Sequence, residues 1–282
     1  MVEWLAALRR LARESPTLAV GGGTLLLIAA LGLVAPWIAP HDPLAIAPTN
    51  SLEPASATHL LGTDQLGRDL FSRILVGTRI SILVGAAVAA LATIGGLAIG
   101  LLAGFVRVLD GPLMRVMDGV MSIPGVLFAI ALMAVFRASV ETVVIALAIV
   151  EIPRVVRLVR SVVLTLRELP FVEGAIVSGA TTFGIVRRHI LPNTLAPLIV
   201  QATYIAASAI IIEAALSFLG AGTPPEVPSW GNIMASGRAF FLIAPMLVLM
   251  PGVVLTLTVL AINLVGDGLR DRLDPKLRAA LK

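Results

Sequence analysis

Long apolar blocks alternate with short polar ones along the whole chain, and six of the blocks come close to or exceed the roughly 20 residues of a membrane-spanning helix. The first runs from Leu18 to about Ala39 and closes on Pro36, Trp37 and Pro40. A cleaved signal peptide has an apolar core of only about 7–15 residues, so this longer run is read as a retained helix, with Trp37 at the interface. The second span, Ile80 to Val106, is rich in small residues that let helix backbones approach closely in lipid. A third is expected from about Arg115 to Phe136, with Pro124 and Gly125 inside it, and a fourth from near Val140. The fifth runs from about Thr194 to Leu219, and the sixth from about Phe240 to Val265 with Pro245 and the Pro251–Gly252 pair. Pro124, Pro245 and Pro251 are expected to kink these helices, static kinks being commoner than hinges.

Two polar stretches interrupt this pattern in an informative way. Residues 41–79 form the longest hydrophilic segment, opening with a proline-rich run that should be extended. Within it, residues 63–76 are predicted to form a surface-lying helix capped by Thr63 or Asp64, with an Asp69–Arg73 pair at four-residue spacing. The second stretch, Glu168 to Pro192, mixes acidic, small, basic and imidazole side chains between apolar runs. Phe171, Val172, Ala175 and Ile176 predict a short amphipathic helix with Glu173 outward. Gly179 should break it, Thr181 or Thr182 should cap a second helix, and Arg187, Arg188 and His189 precede a stop at Leu191–Pro192. Two short angled helices of this kind make a rigid knob suited to a groove on a partner.

Charge then sets an orientation. The amino terminus (1–17), the turn between spans two and three, the stretch after span four and the tail (266–282) hold sixteen lysines and arginines, and the opposite loops hold five. Basic loops favour the cytoplasm, which predicts both termini and residues 168–192 inside and residues 41–79 outside. Arg154, Arg157 and Arg160, at every third position, read as topology anchors or contacts to acidic headgroups. Composition agrees with the class: 58% of the 282 residues are hydrophobic and only 13% charged, about half the charge of a soluble domain. The net charge of +4 is spread over loops, so nothing points to nucleic acid. The expected fold is all-α and polytopic: a cytoplasmic segment 1–17, a first span 18–40, an outer loop 41–79, a five-helix core 80–265 and a cytoplasmic tail 266–282.

Candidate chemistry is sparse. The chain has no cysteine, and its two lysines, Lys276 and Lys282, lie in the tail, so no phosphate-binding P-loop can form. His41, His59 and His189 show no metal-ligand spacing, and the His41–Asp42 pair is read as solvated loop rather than a metal site. No catalytic constellation, cofactor site or metal site is expected. Glu213 stands out, because a carboxylate at mid-helix costs about 2.5–3.5 kcal/mol to insert. It either lines a translocation path or makes an interhelical hydrogen bond. Gln201, Tyr204 and Asn263 share that ambiguity, with helix–helix bonding the commoner role.

Several ordered motifs resemble one known family. Glu173-Gly174-Ala175, Gly179 four residues later and Leu191–Pro192 are similar to the EAA loop of bacterial ABC importer permeases. Residues 61–85 (LGTDQLGRDLFSRILVGTRISILVG), 110–125 (DGPLMRVMDGVMSIPG), 213–222 (EAALSFLGAG) and 228–234 (PSWGNIM) resemble the C-type subunits of the dipeptide/oligopeptide/nickel branch. Gly174 departs from the usual Ala, and His189 stands where an aliphatic residue is common. The resemblance, over roughly residues 20–275, implies a type I importer half-pore in the bacterial inner membrane, paired with a homologous second permease. Two cytoplasmic ATPase subunits would bind ATP and Mg, and an extracytoplasmic binding protein would deliver substrate: a peptide, a nickel chelate, glutathione or another small solute. The ATPase contact is expected at Phe171, Val172, Glu173, Gly174, Ala175, Ser178, Gly179, Ala180, Arg187, Arg188, His189 and Pro192. A secondary carrier would better suit paired intramembrane charges or inverted repeats. A membrane enzyme would need a catalytic constellation.

Overall fold

The computed structural model describes residues 15–136 and 138–273. The amino-terminal segment through Glu14, Arg137, and the tail from Asp274 with Lys276 and Lys282 lie outside the described residues. Among the described residues the fold is all-α, apart from one isolated bridge between Thr63 and Asp69. The long helices are α1 (Pro16–Ile38) and α2 (Leu70–Phe105), followed by α3 (Arg107–Met121), α4 (Gly125–Val135) and α5 (Val140–Leu166). Then come the short α6 (Pro170–Val177) and α7 (Thr182–Ile185), the long α8 (Leu191–Phe218), the short α9 (Trp230–Gly237) and α10 (Met246–Leu273).

Four segments are long and apolar enough to cross a membrane: α1, α2, α7 continued into α8, and α10. The α3–α4 pair makes a fifth if it is a single broken span. The expected third span is therefore not one helix. Pro124 has no N–H to donate and pushes Ile123 out of the helical region, so the chain turns by 88° between α3 and α4. The expected fourth span is present as the 27-residue α5, which is apolar on average but carries Glu151, Arg154 and Arg157 in every membrane-length stretch, more charge than the other long helices hold.

Helix α2 and helix α5 form the centre of the packing. Gly96, Gly100 and Gly104 recur every four residues on α2, and Val155, Val159 and Val163 recur every four on α5. A Cβ built on any of the three glycines would fall within 2.7 Å of the facing valine, so the backbones are as close as glycine permits. Beside this seam, Arg160 clasps Asp110 of α3 with two bonds of 2.5 and 2.6 Å, and Arg157 reaches Asp118 at 2.6 Å. Arg154 pairs with Glu151 one turn back at 2.8 Å, and Arg167 donates to the Gly104 carbonyl. Arg157 and Arg160 thus fasten α3 to α5, because α3 presents its aspartates eight residues apart on the facing side, while Arg154 is held within α5.

The outer segment folds differently from the expectation. No separate helix covers residues 63–76: the chain makes a tight turn over Thr63–Asp69, and α2 begins at Leu70 and continues unbroken for 36 residues, about 54 Å. Two features block an earlier helix. The Asp64 carboxylate accepts from the Leu66 and Arg68 backbone N–H groups and from Arg68 Nε, bonds that compete with helical pairing. Gly67 is left-handed (φ +73°) and lies against the Ala47 carbonyl, where no Cβ fits. Asp69, expected to pair with Arg73, caps α2 instead by accepting from Ser72 N at 2.8 Å. Buried Arg73 turns toward Asp64 (3.7 Å) and donates to the Pro43 carbonyl. Helix α9 is buried under this cap, with Trp230 and Ile233 packed among Leu70, Ile74, Ile210 and Leu247.

Candidate functional site

Leu169 enters α6 in an extended conformation and Pro170 takes the first helical position, where its missing N–H costs nothing. Glu173 sits exposed in the first turn, the favourable end of the helix dipole for a carboxylate. The helix ends as the glycine predicted: Gly179 is left-handed (φ +79°), Gly179 N donates to Ile176 O, and Ala180 N donates to Ala175 O. These two bonds form a Schellman motif. Ser178 adds a bond from Oγ to Gly174 O, and Thr181 Oγ1 accepts from Gly184 N to cap α7. The expected two-helix knob is thus present.

The expected stop at Leu191–Pro192 is absent. Pro192 has no N–H to give to Arg188 O, and the ladder shifts by one residue: Leu191 N donates to Val186 O, five residues back. A π turn over Val186–Ile190 results, and it joins α7 to α8 as one 37-residue helical run. Asn193 Nδ2 bonds the His189 carbonyl at 2.7 Å, and the His189 ring stacks at a tilt against Phe171, 5.8 Å between centroids.

The knob has a rooted side and a free side. Val172, Ile185 and Ile190 are buried in the same core cluster as Val155, Val159 and Leu198, so α6 and α7 are packed into the helices they project from. Phe171, Ile176, Val177 and Phe183 are exposed, with Val177 at 89%, and Glu173, Arg187 and Arg188 flank them. An apolar patch ringed by charge, on an element held rigidly from behind, has the make-up of a docking surface. Gly174 has open space where a Cβ would go.

The path candidates fall in separate places. Glu213 is fully buried, and its Oε1 accepts from Ser217 (2.8 Å), Ser229 (3.0 Å) and Thr223 (3.2 Å). Asn232 Nδ2 closes the cage, donating to Thr223 Oγ1 and to the Thr223, Pro224 and Val227 carbonyls. Glu213 therefore binds the loop after α8 and the start of α9 to the helix. Ser217, one turn along, was visible from helical spacing; Thr223 and Ser229 come from a loop and were not. Tyr204, about 13 Å away along α8, donates to Asp267 of α10 at 2.6 Å, a partner the sequence did not indicate. Gln201 and Tyr204 line a cleft of about 490 Å³ with Val200, Pro197 and Arg270. Asn263 is half-buried on α10 and lines neither place.

The fold and the knob together define a polytopic helical membrane protein that presents a rigidly held apolar patch ringed by charge. The chain belongs to the family of binding-protein-dependent transport system inner membrane components, whose model matches residues 96–279. It is a non-catalytic, multi-pass inner-membrane permease subunit of an ABC importer, and the family implies ATPase and binding-protein partners. It is 49% identical over 95% of its length to a probable peptide ABC transporter permease protein of Sinorhizobium fredii, covering 91% of that protein. It is 46% identical to a di/tripeptide transport system permease protein of Pseudomonas aeruginosa, over 92% of this chain and 88% of that one. A glutathione transport system permease protein of Salmonella typhimurium is 43% identical, over 98% of this chain and 91% of its own length. Among solved structures, a chain of the MetNI methionine ABC transporter in inward-facing conformations superposes with a TM-score of 0.61 at 20% identity. That match covers 73% of this chain and 98% of the other, and it shows a shared fold.

Proposed function

We propose that this chain forms half of the translocation pore of an ATP-driven importer of short peptides, pairing with a homologous second permease. Six crossings, counting α3–α4 and α5 as one each, put both termini and the α6–α7 knob in the cytoplasm, as the loop charge asymmetry favours. Two ATPase subunits bind ATP and Mg, and each receives the knob of one permease. An extracytoplasmic binding protein delivers the substrate. The names of the relatives favour peptides, and the glutathione permease, itself matched over 91% of its length, favours a modified tripeptide as the second reading.

The observation that carries the coupling role is the contrast between the two sides of the knob: Val172 and Ile185 locked in the core of the helix bundle, Phe171, Glu173, Val177 and Phe183 free. A displacement imposed on the free side by ATPase closure moves α5 and α8 with it, since the rooted side cannot slip. Glu173 makes the polar contact with the ATPase groove and Gly179 supplies the bend. The test uses the reconstituted complex with Glu173→Lys or Gly179→Val. Assembly and basal ATP hydrolysis persist, and substrate-stimulated hydrolysis and transport fall together. Unchanged stimulated hydrolysis and transport in both variants would refute the coupling role.

A further inference from the structure

The sequence contains three histidines, and the fold brings two of them, eighteen residues apart, onto one carboxylate. His59 Nδ1 lies 2.9 Å from Asp69 Oδ1, His41 Nδ1 lies 3.8 Å from the same oxygen, and the two imidazole centroids are 4.7 Å apart. One nitrogen from each histidine and the Asp69 oxygen all fall within 4.8 Å of one another. Tetrahedral ligands at bond lengths of about 2.0–2.1 Å stand about 3.3 Å apart, and the two measured nitrogen–oxygen separations bracket that value.

The three groups are held in advance. Asp69 is buried and fixed by its second oxygen, which accepts from Ser72 N. His41 is pinned through its backbone N–H to Ser72 Oγ at 3.1 Å, and its side chain is 40% exposed. A cleft of about 340 Å³ opens beside them, lined also by Asp42, Glu53, Asn50 and Thr58. Its charged side chains are all acidic, so it attracts cations and offers oxygen donors for the positions the three ligands leave open.

We infer that His41, His59 and Asp69 form a binding site for a divalent transition metal of the zinc or nickel type. Two imidazoles and one carboxylate suit a borderline cation, whereas calcium and magnesium prefer all-oxygen shells. The metal takes the place of the proton between His59 and Asp69 and draws His41 inward. It then ties the chain leaving α1 to the first turn of α2, stapling the outer loop at both ends. The site stands independently of the coupling reading above, because no residue of the knob contributes to it.

The absence of cysteine leaves no thiolate competitor, and the third histidine, His189, lies on the knob. Full-length chain without a histidine tag, stripped with chelator in detergent, is titrated calorimetrically with Zn²⁺, Ni²⁺ and Ca²⁺. The expected result is saturable one-to-one binding of Zn²⁺ and Ni²⁺ and none of Ca²⁺. His41→Ala, at an exposed side chain, weakens it at least ~10-fold, the loss typical of disturbing even an outer partner of a metal site. Asp69→Asn keeps an acceptor to cap α2 and weakens binding as well, and His189→Ala leaves it unchanged. X-ray absorption of the zinc-loaded protein shows imidazole scattering that diminishes in His41→Ala. No saturable Zn²⁺ or Ni²⁺ binding, or binding that His41→Ala leaves intact, overturns the site and leaves His59–Asp69 as a helix cap alone.

Discussion

Replacing Gly100 with alanine tests how closely α2 and α5 approach along their glycine–valine seam. The added Cβ would stand 2.6 Å from Val159 Cβ, 2.9 Å from its Cγ1 and 3.0 Å from Val156 O. Carbon atoms settle at about 3.5–4.0 Å, so the helices must separate by about 1 Å at the point where α5 is also held by Arg160 and Arg167. Overpacking of this kind costs about 1–3 kcal/mol. The same exchange at Gly23, exposed on α1 with open space around it, adds helix propensity at no packing cost and is worth about 0.5–1 kcal/mol in the stabilising direction. Thermal unfolding of the purified complex in detergent, followed by loss of the monodisperse peak, reads the difference. At about 2–4 °C per kcal/mol, Gly100→Ala melts several degrees below wild type and Gly23→Ala at or slightly above it. Adding Val159→Ala to Gly100→Ala recovers part of the loss, since it removes the Cγ1 contact while the Cβ contact stays. Equal melting temperatures for the two single variants would refute the close-approach reasoning.

Two further changes probe the polar interior and the α3–α5 junction. Glu213→Gln keeps an acceptor for Ser217, Thr223 and Ser229 and leaves folding close to wild type. Glu213→Leu strands three hydroxyls and costs about 1–3 kcal/mol, seen as a lower melting temperature and a newly protease-accessible 220–229 loop; a Leu variant as stable as Gln would show that the cage is not a structural lock. Asp110 and Arg160 are partly exposed, so a double-mutant cycle to alanine gives a coupling of about 0.2–1 kcal/mol that shrinks at high salt. A coupling of zero at low salt would show that the clasp does not hold α3.

What could be read from the sequence was whatever local chemistry decides. The break at Gly179, the cap at Thr181 and the exposed Glu173 follow from residue types within one turn of each other, and they stand as expected. The surface helix expected at 63–76 does not form because hydrophobic periodicity is blind to Gly67 and Asp64, two residues that commit the chain to a turn through contacts with Ala47 and Arg68. The arginines of α5 were visible as a stripe, but Asp110 and Asp118 lie about forty to fifty residues earlier, and only the fold shows that they meet. Six spans were expected from six apolar blocks. The turn at Pro124 and the charges of α5 are what a block count leaves out.

The π turn at Val186–Ile190 places one surplus residue between the knob and the long helix α8. Residues wound i→i+5 each advance the chain by less than the α-helical step of about 100°, so the surplus residue is absorbed inside the turn and α7 keeps the azimuth of a regular helix. What the residue provides is room for the ring of Pro192. A deletion within 186–190 would restore a regular ladder, press that ring against the carbonyl four residues back and kink the junction. Insertions and deletions here are thus changes of tilt rather than of length, and this turn tolerates substitution far more readily than any alteration in its residue number.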